Sequence, residues 1–134
     1  MTEADAQAFV AAFSAAWQAR DPAAFEALWH ADGVLHWPYV DRPIAGSEIG
    51  QLNRLLTEQA PDLTWSLLDW TWRDDVVVVE WESSRPAGDG SVSWRGVDKF
   101  TLRDGRIAEE VVYSDTAPLR AMRRGETLEP LVAL

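Results

Sequence analysis

The hydrophobic period of this chain changes once, and that change fixes the class of fold it can form. Through residue 59 the apolar residues recur at helical spacing, and from residue 63 to residue 115 they alternate. A stripe at i, i+3 and i+4 is buried by a helix, whereas alternation is buried by a strand. Phe9, Val10, Phe13 and Trp17 form the first helical stripe, with Thr2 and Asp5 placed as a capping box. Asp21 and Pro22 open a second helix as N-cap and first-turn proline, and Phe25, Leu28 and Trp29 give it a buried face. "ADGVLHWP" reads as a short strand stopped by Pro38, and "YVDRPIAGS" as a loop. Gly46 and Ser47 lead into a third helix over residues 48–59, with Ile49, Leu52 and Leu56 on its stripe. Four strands follow over residues 63–72, 76–84, 92–103 and 107–115, joined at "RDD", "RPAGDGS" and "DG". Helices first and hairpin-linked strands after predict an α+β fold. We expect a cone-shaped α+β barrel, with three N-terminal helices packed on a curved antiparallel sheet. The mouth of such a cone is where a ligand site is expected.

At 134 residues the chain is expected to be one domain, residues 1–134, with its core over about 4–115 and a C-terminal tail over 116–134. There are no cysteines, so disulfides, thiolate catalysis and cysteine-ligated zinc are excluded and a reducing compartment is expected. "MTEADAQAFVAAF" has no basic n-region, and no run approaches a membrane span. The expected location is cytoplasmic, with no membrane partner. A net charge of -10 repels polyanions, which argues against nucleic acid. His30 and His36 lack the carboxylate pattern of a metal site, and neither a Gly-rich phosphate loop nor a Gly-x-Ser-x-Gly elbow is present. No metal or cofactor is expected.

One residue breaks the pattern. Alternation puts Trp94, Gly96, Asp98 and Phe100 on one face, and Arg95, Val97, Lys99 and Thr101 on the other. A carboxylate on an apolar face has two readings. It lines a cavity, where burial raises its pKa and suits it to acid–base work. Or it is structural, bonded to backbone or to a tryptophan N–H. Eight tryptophans in the chain make either a bulky core or a cavity walled by flat faces. The register places Trp17, Trp37, Trp81, Trp94 and Phe13 on the inner side, with Tyr39 and Tyr113 offering hydroxyls and Asn53 an amide on the third helix. Glu80, Glu82, Glu109 and Glu110 alternate poorly with their apolar neighbours, so most of them should be outward. These residues together predict a flat, largely apolar ligand such as a polyketide, terpenoid or steroid-like ring system.

The pieces "WQARDPAAFEALWHADGVLHWP", Gly46 and "RGVDKFTLRDGRIAEEVVYSD" carry a resemblance. From about residue 4 to residue 115 the chain resembles the SnoaL-like branch of the nuclear transport factor 2-like superfamily. Ketosteroid isomerase, the polyketide cyclases and limonene epoxide hydrolase share that fold. The resemblance implies where catalytic groups would lie. The isomerase's general base falls on Trp37, its oxyanion-hole tyrosine on Phe13, and its second donor, a protonated aspartic acid, on Asp98. One of three parts is retained, so steroid isomerisation by that mechanism is not expected. Glu110 faces inward if the last strand keeps the isomerase's register. The arginine between two aspartates of limonene epoxide hydrolase has no counterpart in "VEWESSR", and Val112 stands where a second aspartate is needed. The polyketide cyclases, with a single acid–base aspartate, are the nearest chemical precedent. The expectation is a cofactor-independent isomerase, cyclase or lyase acting by proton transfer on a flat apolar carbonyl compound through Asp98. The alternative is a non-catalytic ligand-binding or dimerisation domain. A homodimer formed through the outer face of the sheet is expected in either case.

Overall fold

The computed structural model describes residues 1–132. Helix α1 spans Glu3–Ala19 and starts at the capping box, where the Thr2 hydroxyl accepts from the Asp5 N–H and Asp5 accepts from the Thr2 N–H. Arg20 ends it in the left-handed region, at φ 50°. Helix α2, Pro22–Ala27, follows at once behind the Asp21 cap. Then come strands β1 (Trp29–His36) and β2 (Ile44–Ala45), a short 3-10 turn (Gly46–Glu48) and helix α3 (Ile49–Gln59). Strands β3 (Thr64–Arg73), β4 (Val76–Ala87), β5 (Gly90–Arg103) and β6 (Arg106–Ser114) form the meander, and helix α4 (Ala117–Arg124) ends it.

The sheet has six strands in the order β2-β1-β6-β5-β4-β3. The four-strand meander is antiparallel, but β1 joins β6 in parallel, so the sheet is mixed. It does not close on itself; the helices cover its concave side and complete the cone. Two local readings are corrected. Trp29 opens β1 instead of sitting on α2. The Ile107 N–H donates to the Leu28 carbonyl at 2.7 Å, which draws the chain out of the helix and onto the sheet edge. A buried Trp satisfies either element, so spacing alone does not decide it. The supposed loop holds β2, which pairs with Val34 and Leu35. The C-terminal tail carries α4, and its residues 133–134 lie outside the described part.

Phe100 is the centre of the aromatic core. The Phe9 and Phe13 rings meet it edge-on at 5.0 and 4.9 Å, and Trp65 meets Phe13 at 5.6 Å. Phe100, Val77, Val79 and Ile107 are fully buried there. Among the described residues no helix is long and apolar enough to cross a membrane.

Candidate functional site

The site begins with a glycine. Trp81 on β4 stands directly opposite Gly96 on β5. A Cβ at position 96 would collide with the Trp81 ring, so the absent side chain is what lets the indole lie flat across β5. From there its Nε1 donates to Asp98 Oδ1 at 2.8 Å. Asp98 is buried, with 4% of its surface exposed.

The second carboxyl arrives through a bulge. Thr101 pairs with Glu109, but Leu102 pairs with Ile107, leaving Ala108 as an extra residue in β6. Strict alternation from the inward Ile107 would turn Glu109 in and Glu110 out. The extra residue inverts that parity beyond it. Glu110 and Val112 therefore face inward beside Asp98, and Glu109 faces out toward His36, 3.6 Å away.

Two carboxyl groups buried together cannot both ionise. Burial pushes Asp98 up to about 7, against the hydrogen bonds from Trp81 and Glu110, which favour its charged form. Glu110 is held well above the usual carboxyl range, first by burial, then by the charge of Asp98 and the hydrogen bond to it. Glu110 thus keeps its proton and donates to Asp98, and the first proton of the pair, that of Asp98, leaves near neutrality.

The pair faces a cavity of about 230 Å³. Trp17, Trp37, Trp65, Trp81 and Trp94 supply its flat walls, and Leu63, Val112 and Leu119 add aliphatic surface. Tyr39 lines it too. Its hydroxyl is bonded to Ser114 Oγ at 2.6 Å, and burial raises its pKa, so the phenol stays neutral. The Arg85 side chain, on the same wall, is committed to Asp62 at 3.0 Å. A second cavity, about 50 Å³, lies on the α2 and α3 side and shares Trp17, Trp37, Leu56 and Glu110 with the first.

The family profile of the SnoaL-like domain matches residues 10–110, from the middle of α1 to Glu110 itself. The chain belongs to the SnoaL-like domain family. No match is found among curated protein sequences. Solved structures share the fold of this SnoaL-like protein. AclR of Streptomyces galilaeus, a candidate hydroxylase, is 20% identical at a TM-score of 0.76, over 96% of this chain and 89% of its own. IdmH of Streptomyces antibioticus, a candidate polyketide cyclase, is 19% identical at a TM-score of 0.74, over 89% and 98%. A candidate SnoaL-like polyketide cyclase from Jannaschia is 19% identical at a TM-score of 0.67, over 85% and 90%.

Of the residues singled out from the sequence of this SnoaL-like protein, the fold brings Asp98, Trp17, Trp37, Tyr39, Trp81 and Trp94 to one cavity. Three stand elsewhere. Phe13 is a core ring that reaches only the smaller cavity. Asn53 also borders that cavity, and its amide donates to the Ile49 carbonyl at 3.0 Å, one turn back on its own helix. Tyr113 is corrected outright. It pairs with Val97 on the outer face and is 60% exposed, because the β6 bulge that turns Glu110 in turns Tyr113 out. Sequence reading missed Trp65, Ser83 and Leu119. Trp65 and Ser83 are opposite partners on β3 and β4, so a register for that hairpin would have found both.

Proposed function

We propose that this protein is a cofactor-independent isomerase, cyclase or lyase that moves a proton on a small, flat carbonyl compound. The buried Asp98–Glu110 pair on the cavity wall carries this reading. Ionised Asp98 takes a proton from the carbon next to the carbonyl, and the C–H electron pair becomes the enolate π bond. Protonated Glu110 steadies the pair through its hydrogen bond to Asp98. The enolate then either regains the proton at another carbon or attacks an electrophilic carbon of the same molecule. Aromatic walls hold the ring plane and exclude water. The cavity is smaller than the ~300 Å³ at which typical ligand sites begin, which favours one or two fused rings over a steroid-sized frame.

The test needs no knowledge of the natural substrate. Enolisable aryl ketones such as tetralone are incubated with the protein in heavy water, and loss of the α-proton signal is followed by NMR. The protein accelerates exchange, Asp98→Asn abolishes it with the fold retained, and Glu110→Gln slows it. Exchange by Asp98→Asn at the wild-type rate would falsify the mechanism.

The second reading is a non-catalytic ligand-binding or dimerisation domain. The Trp81–Asp98 bond supports it, since a structural carboxyl would make the same contact. Saturable ring binding with no exchange under any condition selects this reading. The proposed setting is the cytoplasm, consistent with a chain free of cysteine. The proposed partner, besides the ligand, is a second copy docked through the outer sheet face, where half-buried Val76, Val78, Val97 and Val111 lie among charges. Light scattering that finds only 15.0 kDa particles removes the dimer.

A further inference from the structure

The inner face of β4 carries one hydroxyl among rings. Its inward residues follow one another as Val77, Val79, Trp81, Ser83 and Arg85, from the buried core to a half-buried guanidinium. Ser83 pairs with Trp65 on β3 and with Trp94 on β5, and all three line the main cavity. Ser84 faces the other way and bonds to the Thr64 hydroxyl at 2.7 Å. The Ser83 hydroxyl has no such partner among the described residues, although the residue is only 4% exposed. Nor is its oxygen sealed: the sealed, unpartnered side-chain atoms of the described residues belong to Trp17 and Arg20. The surface that Ser83 Oγ keeps therefore opens on the cavity, and what the cavity holds must satisfy it. Arg85, the next residue along the same wall, gives its Nε to Asp62 at 3.0 Å. Its two Nη groups meet no acceptor among the described residues and are not sealed either.

The chemistry of this end differs from that of the carboxyl pair. Asp62 neutralises Arg85, and the chain at -10 repels anions, so a neutral oxygen is accepted here ahead of a carboxylate. A serine hydroxyl donates and accepts, whereas a guanidinium only donates. A ligand hydroxyl meets both, donating to Ser83 Oγ and accepting from Arg85. The spacing sets the length of the ligand. Ser83 lies on β4 four residues beyond Val79, the partner of Asp98, a separation of roughly 13 Å along the strand. A polar contact of about 3 Å at each end leaves roughly 7 Å, the long axis of two fused six-membered rings.

We propose that Ser83, with Arg85 beside it, is a hydroxyl-binding subsite of the cavity. The ligand class is then a two-ring ketone with a hydroxyl on the ring remote from the carbonyl. Its carbonyl end lies at Asp98 and Glu110, and its hydroxyl at Ser83. This rests on the proposed reading of the cavity as a ligand site, but not on any proton transfer there.

The probes are 2-tetralone and 6-hydroxy-2-tetralone, whose oxygens stand at opposite ends of the frame. Binding is measured by isothermal titration calorimetry at about pH 6, where a phenol is neutral. Wild type binds the hydroxylated probe about fivefold more tightly, the scale of one neutral hydrogen bond. Ser83→Ala erases that preference and leaves 2-tetralone binding within about twofold. Arg85→Met, which keeps the aliphatic stem and removes the second donor, lowers the preference part of the way. Ser83→Cys, close in size and a weaker donor, at least halves it and carries the test where Ser83→Ala fails to fold. Equal binding of the two probes by wild type, or a preference that survives the Ser83 substitutions, overturns the subsite and leaves the cavity reading intact. Binding of neither probe overturns the subsite together with the cavity reading beneath it. Isotope exchange on the same probes, compared in wild type and Asp98→Asn, bears on catalysis alone. If exchange is absent while the preference still depends on Ser83, the subsite stands and the catalytic reading falls.

Discussion

Position 96 tests how the site is built, because a single methyl group there acts on Asp98 through Trp81. Gly96→Ala places a Cβ within the indole's contact distance, so the ring must swing off β5 and its N–H leaves Asp98. Overpacking of this kind costs about 1–3 kcal/mol. Losing a bond that favours the charged carboxylate also drives the Asp98 titration above about 7. Urea denaturation reads the first effect and carboxyl carbon NMR the second. Gly90→Ala, where an added Cβ meets nothing within 4 Å, is the matched control and should change neither. A Gly96→Ala protein with wild-type stability and an unmoved Asp98 would show that Trp81 does not position it. The same residues show what a sequence can disclose. The inward face of Asp98 follows from alternation along β5, and both of its readings hold at once: it is bonded to a tryptophan N–H and it lines the cavity. Glu110 did not follow from alternation, because its direction depends on one extra residue, Ala108, whose bulge exists only in the pairing with β5.

At the scale of elements, α4 is the part that the period of the chain indicated least. Eight residues that contact chiefly β5 leave a weak pattern, yet Pro118 is buried and Leu119 forms part of the cavity wall. The strands of the meander were legible because each carries a long alternating run. The parallel partnership of β1 and β6 was not, since nothing local in either strand records a neighbour some 75 residues away. Ending the chain at Asp115 removes α4 and tests its role. The sheet and α1–α3 should still fold, with far-ultraviolet circular dichroism that loses only the signal of the eight α4 residues, because the buried core is drawn from α1–α3 and the strands. Water then reaches the carboxyl pair past the missing Leu119, burial weakens, and the Asp98 midpoint falls below about 7 toward ordinary carboxyl values. Tryptophan fluorescence, sensitive through Trp81, follows that titration. An unchanged midpoint would mean that α4 does not shield the pair.

For the molecule as a whole, the buried pair fixes how stability depends on pH. Asp98 titrates at about 7 in the folded chain and near 3.8 when unfolded, so its folded pKa is the raised one. Its contribution is fully present below the unfolded value and is lost as pH rises through the folded value. Across that window folding stability should fall by up to about 1.4 kcal/mol per pH unit. Glu110, raised further, adds to the fall over a window that opens at its own unfolded value of 4.5 and extends to higher pH. Exposed carboxylates act in the opposite sense. The Arg42 guanidinium lowers Glu48 to about 2, and hydrogen bonds from Thr2 and Arg103 lower Asp5 and Asp32. Their contributions are lost only as pH falls below the ordinary carboxyl range, and solvent screens them. Growing negative self-repulsion of a chain at -10 adds to the loss on the alkaline side. The expected optimum is therefore near pH 4–5, below the usual range of about 5–8. Asp98→Asn removes the titrating group but not the charge of the surface. Its stability should fall more gently than that of wild type from about pH 4 to 7, through the Glu110 that stays buried, below wild type at the acid end and above it past neutrality, so that the two curves cross. Chemical denaturation at several pH values across that window measures both. Parallel curves would mean that Asp98 ionises like an exposed carboxyl, and a group of that kind could not serve as the acid–base centre proposed for this cavity.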